Sequence, residues 1–284
     1  MPLTPNPVPT SHQGLFVAGE DKGVIRSEPY EVLRPQYPKT SFFAQQSASE
    51  RVAGRSSARA AHSNQLPPPR KRPMIYELRT YTAPAGKAPQ LAKYSAEIGR
   101  PIRGDEYGKL EGYWLTEIGP LNKVMHLWSY ADLEDRQARR AALGQNERWK
   151  NEYLPVAGPL ILRQDIRLMT ATKPITPPEK EGNVYEYRYY RVKVGKIGEW
   201  ISHIMEAMPA REKHSRNVAL FQSIAGQPNE VSHIWAYESL NHRAEARAAA
   251  TADPAWQAFL AKSGPLLEEK ASLTMLPSSS SPLK

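Results

Sequence analysis

The sequence predicts an α+β fold: two tandem copies of one β-α-β-β-α-β unit whose sheets press together as a closed barrel or a sandwich. Three observations carry this. "IYELRTY" at 75–81 returns as "VYEYRYY" at 184–190. "MHLWSYADLEDRQARRAAL" at 125–143 returns as "SHIWAYESLNHRAEARAAA" at 232–250. Between and beyond these blocks, Gly86-Lys87 matches Gly195-Lys196, and Gly158-Pro159-Leu160 matches Gly264-Pro265-Leu266. The offset starts at 109 and drifts by only three residues, so each copy is about a hundred residues, an ordinary domain size.

The elements follow in order. Ile75–Thr82 is rich in β-branched and aromatic residues, as a strand should be. After Gly86, Leu91, Tyr94 and Ile98 recur at helical spacing, and Pro101 is expected to end or kink that helix. Strands are expected at Leu110–Glu117 and Lys123–Tyr130, joined by Gly119-Pro120-Leu121-Asn122. Gly226-Gln227-Pro228-Asn229 repeats that turn, and Gly and Asn supply the positive φ it needs. Asp132 is placed to cap the next helix, with Glu134 and Asp135 in its first turn. The fourth strand is expected at Leu160–Met169.

These elements divide the chain into a first module at 74–171, a linker at 172–183 ("TKPITPPEKEGN") and a second module at 184–276. Residues 277–284 read as a disordered tail. Residues 1–73 hold eleven of the 26 prolines and little periodic apolar pattern. They read as a disordered tail, or as an over-extended start with Met74 the true first residue. The Arg- and Ser-rich stretch 51–63 keeps a targeting peptide as the alternative.

The net charge of +9 does not describe the modules: residues 1–73 carry ten Lys/Arg against five Asp/Glu, which is +5 of it. The rest has mixed signs, so a nucleic-acid partner is not expected. No apolar run reaches the length of a membrane span. Cysteine is absent, which removes disulfides, thiol nucleophiles and cysteine metal sites. It suits a reducing, cytoplasmic setting; a mitochondrial one is the alternative if the leading segment is a targeting peptide. No His-x-x-x-His pair occurs, and no metal or other cofactor is expected. "TAPAGK" at 82–87 lacks the spacing of a phosphate loop, and Ser223 and Ser232 lack the glycines of a nucleophile elbow.

The candidate site comes from strand alternation. Glu77, Arg79 and Tyr81 share one face of the first strand, opposite Tyr76, Leu78 and Thr80. His126, Trp128 and Tyr130 share one face of the third, opposite Met125 and Leu127. A β-α-β-β-α-β unit sets these strands side by side. One polar-aromatic patch would then hold Glu77, Arg79, Tyr81, His126, Trp128 and Tyr130. Its twin would hold Glu186, Arg188, Tyr190, His233, Trp235 and Tyr237. The helices are expected to cover the Tyr/Leu/Met faces, leaving the two patches to meet in a chamber between the sheets. The plain reading is a mutually satisfied ion network that fixes register and pairing. The functional reading is a small-molecule chamber with apolar walls and a few orienting polar groups. Arg136/Arg140 and Arg243/Arg247 stand four apart on a helix, which reads as a solvated face or as an anion or partner contact. Trp149 and Trp256 read as core or interface anchors.

"MIYELRTYTAPAGK" at 74–87, "GYW" at 112–114 and "HLWSYADLEDR" at 126–136 resemble the NIPSNAP family, in the form of its compact bacterial members. The resemblance spans about residues 74–275. It implies a ferredoxin-like fold of the dimeric α+β-barrel superfamily, here two tandem modules paired within one chain as a pseudo-dimer. It also implies, for animal members, association with mitochondria and with protein partners in vesicle traffic and mitophagy. The wider superfamily includes cofactor-independent monooxygenases and haem-degrading enzymes.

The leading expectation is a protein, non-enzymatic or of unknown activity, that binds a small molecule, or a protein partner, through the chamber. The alternative is a monooxygenase- or isomerase-like enzyme in which His126 or His233 is the acid/base and Arg79 or Arg188 stabilises an oxyanion. A third reading is an assembly module without a ligand, joining copies of the chain.

Overall fold

The computed structural model describes residues 72–284; the expectations for residues 1–71 lie outside the described residues. Eight strands close into a barrel: β1 Ile75–Thr82, β2 Lys109–Ile118, β3 Lys123–Tyr130, β4 Arg163–Lys173, β5 Val184–Val192, β6 Arg216–Ala225, β7 Glu230–Tyr237 and β8 Leu267–Pro277. Their order around it is β1-β3-β2-β8-β5-β7-β6-β4. Every pairing is antiparallel, and β1 lies on β3 with Arg79 opposite His126 and Glu77 opposite Trp128. The two seams between halves are β4 on β6 and β2 on β8. The fourth strand therefore starts later and runs further than expected. Gly158–Leu160 form a 3-10 turn, and β4 reaches Lys173 because β6 continues to pair with it there.

The helices lie outside the barrel. In the first half these are α1 Ala88–Tyr94, α2 Arg100–Arg103, α3 Leu133–Gln145 and α4 Leu154–Ala157. In the second they are α5 Ile197–Glu212, α6 Leu240–Ala252 and α7 Pro254–Ser263. Asp132 caps α3 as expected, its carboxylate accepting from the Asp135 amide at 2.8 Å. Ser239 does the same for α6. Pro101 does not end its helix: it sits in α2, which stops at Gly104, and Pro209 lies inside α5. Both hairpins turn as the sequence requires, with positive φ at Gly119, Asn122, Gly226 and Asn229.

The sheet faces are reversed from the expectation. Tyr76, Leu78, Met125, Leu127, Tyr185 and Tyr187 pack with residues of the other strands into one core inside the barrel. That interior is filled by aromatic and aliphatic side chains, and no chamber between two polar patches exists there. Glu77, Arg79, His126 and Trp128 point outward, beneath the helices of the first half; their twins lie beneath those of the second. The reason is electrostatic. A buried carboxylate needs cations close by, and the helix layer supplies them through Arg136 and Arg140, or Arg243 and Arg247. The barrel interior is mostly rings and aliphatic groups, and its part-buried cation Arg167 is already taken by Glu230.

Residues 277–284, expected as a disordered tail, are held in place: Pro277 closes β8 and 278–284 pack against the barrel. The Ser278 amide donates to the Tyr113 carbonyl, the Tyr113 amide donates to Ser281 Oγ, and Leu283 is buried in the barrel core.

Candidate functional site

The charged pair on β1 is the root of the site. Arg79 Nη1 donates to Glu77 Oε1 at 2.5 Å, its Nε to the Tyr81 hydroxyl at 2.6 Å and its Nη2 to Gln164 Oε1 at 2.8 Å. The other carboxylate oxygen of Glu77 receives Arg136 Nε at 2.5 Å, and Arg140 stands 4.0 Å away. Burial pushes the Glu77 carboxyl upward, but Arg79, Arg136 and Arg140 together hold it below the usual carboxylate range. The second half repeats this. Glu186 takes Arg188 at 2.6 Å, Arg243 at 2.7 Å and the Tyr237 hydroxyl at 3.2 Å, with Arg247 at 3.6 Å. Against the same burial, these arginines hold Glu186 at about 2. The arginines four apart on α3 and α6 are therefore not a solvated face.

On β3, Trp128 Nε1 donates to His126 Nδ1 at 2.5 Å, and Trp235 does the same to His233. This fixes the tautomer: the proton sits on Nε2. His126 stacks on Tyr113 at 5.2 Å, edge-on to Tyr81 at 4.8 Å. Burial, then Arg79, Arg103 and Arg140, push its pKa well down; burial and Arg188 lead the same effect on His233, which falls to about 3. With Nδ1 occupied by the tryptophan, each imidazole presents Nε2–H as a neutral hydrogen-bond donor. Expected by NMR is a neutral Nε2–H imidazole for both, unchanged from about pH 7 to about pH 5, where a free histidine has charged. Because the unfolded chain binds those protons first, each ring costs stability as pH falls from the ordinary 6.5 toward the folded value.

In the first half, α2, α3, α4 and the helical segments Ser95–Gly99 and Trp149–Tyr153 enclose a cavity of about 290 Å³. Arg79, Tyr81, His126 and Trp128 form its floor, while Glu77 and Tyr130 brace it from behind. The twin cavity, floored by Arg188, Tyr190, His233 and Trp235, is about 190 Å³. Sequence reasoning brought each set of six together correctly but put them on the wrong side of the sheet. It assigned no role to Arg103, Tyr113 or Tyr153. Arg103 is buried with its guanidinium 3.2 Å above the Trp128 ring, a cation-π contact. One nitrogen donates to the Tyr107 carbonyl and the Tyr130 hydroxyl, while Nε is buried without a partner. Among the described residues no carboxylate pairs with it. Burial lowers it to about 10, so it stays charged at neutral pH. Arg103 and Arg211 lie 108 residues apart, within the range of the repeat offset, and that match is the one signal the sequence offers.

The lining of the larger cavity includes Arg79, Arg100, Arg103 and Arg140, and no Asp or Glu. Its other walls are aromatic or aliphatic, including Tyr113, Trp149, Tyr153 and Leu143. Such a site favours a compact anion with a flat apolar body.

Fold and site together define a mixed α/β barrel protein, with one cationic, aromatic-walled cavity outside the sheet in each half. The NIPSNAP family model matches residues 76–174 and again 185–282. The chain belongs to the NIPSNAP family. It is 31% identical to the NipSnap homolog of Dictyostelium discoideum over 211 residues, covering 72% of this chain and 87% of that protein. It is also 31% identical to mouse NipSnap homolog 3B, covering 74% and 86%. Among solved structures, a proposed monooxygenase from Lactobacillus acidophilus superposes with a TM-score of 0.56 at 11% identity, covering 73% of this chain and 95% of that one. That likeness is one of fold. No described helix is long and apolar enough to cross a membrane.

Proposed function

We propose that this chain binds a small organic anion in the first-half cavity, beneath α2–α4. The observation that carries the reading is the lining: four arginines, no carboxylate and flat aromatic walls. Two tandem ferredoxin-like modules, 74–171 and 184–276, paired as a pseudo-dimeric barrel within one chain, are the frame that supports it. The family match to each half supports that division.

A flat aromatic carboxylate is the probe. Arg140 is the residue to change, because Arg79 also holds Glu77 and its loss would confuse binding with folding. Arg140 is part-exposed and 4.0 Å from Glu77, so Arg140→Met is expected to fold. Expected: 2-naphthoate raises the melting temperature of the full chain, neutral naphthalene does not, and Arg140→Met weakens naphthoate binding about tenfold or more. Equal effects of naphthoate and naphthalene would defeat the anion reading.

A second reading, oxygenation or isomerisation of a hydrophobic carbonyl or aromatic substrate, is favoured by one feature. The His126 Nε2–H donor and Arg103 line the same cavity, and together they would stabilise an enolate or phenolate oxygen. The monooxygenase description of a structural neighbour bears on fold alone. Oxygen uptake with a naphthol-type substrate is the measurement, and none above buffer would leave the binding reading alone.

A further inference from the structure

The two halves share three cavity arginines, Arg79/Arg188, Arg103/Arg211 and Arg140/Arg247, yet their cavities differ in size. The cause lies in the repeat offset. From Gly86 to Pro101 the first copy has one residue more than the second has from Gly195 to Pro209. From Trp149 to Gly158 it again has one more than from Trp256 to Gly264. Both extra residues fall where the helices open into π-turns, Ser95–Gly99 and Trp149–Tyr153. In each, an i→i+5 bond replaces the α-helical one: the Arg100 amide reaches the Ser95 carbonyl, and the Leu154 amide reaches that of Trp149. In the second half α5 and α7 run through the same places as unbroken α-helices. A single inserted residue is how a π-turn arises, and such turns gather at functional sites.

The π-turns also change the wall. Ser95, Gly99, Trp149 and Tyr153 all line the first cavity. Ser95 Oγ and the Tyr153 hydroxyl are 2.8 Å apart, so one π-turn is tied to the other across the roof. Gly99 permits this: a Cβ there would sit 2.8 Å from the Tyr153 ring. At the unshifted offset of 109, Leu91 and Ser95 correspond to Trp200 and Ile204. Tyr153 corresponds to Phe259 by its ring: Trp149–Tyr153 centroids lie 4.3 Å apart and Trp256–Phe259 centroids 4.5 Å, both tilted by 37°. Trp200, Ile204 and Phe259 are buried and fill the space, and Trp200 stands against His233 at 6.2 Å. His233 Nε2 is buried there without a partner.

We infer that the chain carries one working ligand site, in its first half, opened by two single-residue insertions in the covering helices, and that it takes one flat organic anion per chain. This rests on the reading that the first-half cavity binds such an anion. The second half keeps the ion network beneath a smaller cavity and serves the barrel; the first opens a larger hollow above the same network, roofed by two hydroxyls that can meet polar edges of the ligand.

The test is calorimetric titration of the full chain with 2-naphthoate. Expected is one ligand per chain. Arg247→Met, the second-half counterpart of Arg140→Met, leaves binding unchanged. Ser95→Ile, which installs the second half's residue without changing chain length, weakens it at least about tenfold by filling the hollow and cutting the tie to Tyr153. Deleting Ala96 together with Asn151, one residue from each π-turn, abolishes it; should that variant fail to fold, Ser95→Ile still decides. Two ligands per chain, or equal weakening by Arg247→Met and Arg140→Met, overturns the asymmetry while leaving the anion reading in place. Weakening by Arg140→Met but not by Ser95→Ile overturns the role of the π-turns. No binding to the unaltered chain removes both readings.

Discussion

Replacing Glu186 with Gln is expected to lower stability by about 3–5 kcal/mol, the cost of removing one partner from a buried ion pair. In a chain of this size that is a fall in melting temperature on the order of 10 °C. Gln keeps the shape of the side chain but not its charge. Arg188, Arg243 and Arg247 would then face one another around a neutral amide with no exposed surface. The same geometry sets a pH signature. Glu186 is held at about 2 when folded, against an ordinary value of 4.5. Its contribution is therefore fully present above about pH 4.5 and is lost as pH falls through 2. The gap between wild type and Glu186→Gln, measured by denaturant titration at stepped pH, should be widest near neutrality and close toward pH 2. A gap that stays constant with pH would mean that the charge is not what the variant removes. Glu77→Gln should follow the same course, since Arg79 and Arg136 hold Glu77 in the same way.

Much of this frame was legible in the sequence, and the reasons are local. Strand alternation placed Glu77, Arg79, His126 and Trp128 on one face of adjacent strands, because side-chain parity in a strand does not depend on the rest of the fold. The turn residues Gly119 and Asn122 announced their positive φ for the same reason. What parity cannot say is which face turns inward. Both faces carry large aromatic residues: Tyr76 on one and Tyr81 on the other, Trp128 on one and Trp114 inside the barrel. The deciding fact was long-range. Arg136 and Arg140 come from a helix, so the face bearing Glu77 had to be the helix face. The paired arginines four apart in both copies held that information, but only together with the glutamate they neutralise. The cavity was less legible still. Its roof depends on two drifts of one residue in a repeat offset, and an insertion in a helix reads the same whether it makes a loop, a kink or a π-turn.

Gly226→Ala is expected to destabilise on the order of 3 kcal/mol or more, and clearly more than Gly119→Ala in the equivalent turn. Backbone strain is shared: φ is +100° at Gly226 and +107° at Gly119, where only glycine is comfortable. The surroundings are not shared. A Cβ on Gly226 would lie 2.5 Å from the Ile166 carbonyl oxygen, which is backbone and has to move as part of β4. A Cβ on Gly119 would meet the Leu273 side chain at 3.1 Å. Thermal unfolding of the two alanine variants side by side is the measurement, and equal losses would mean that the seam yields without cost. The position matters because β4 is the strand that joins the halves through β6. Next to Ile166, Arg167 makes a two-pronged ion pair with buried Glu230, at 2.6 and 3.1 Å. Two residues the other way, on the same face as Ile166, Gln164 receives Arg79 at 2.8 Å at the edge of the first cavity. Pushing β4 aside at Ile166 therefore strains the seam on one side and releases the Arg79 guanidinium on the other. Gly226→Ala should weaken naphthoate binding in the first half from a turn that belongs to the second, while Gly119→Ala, which faces β8 instead, should spare it.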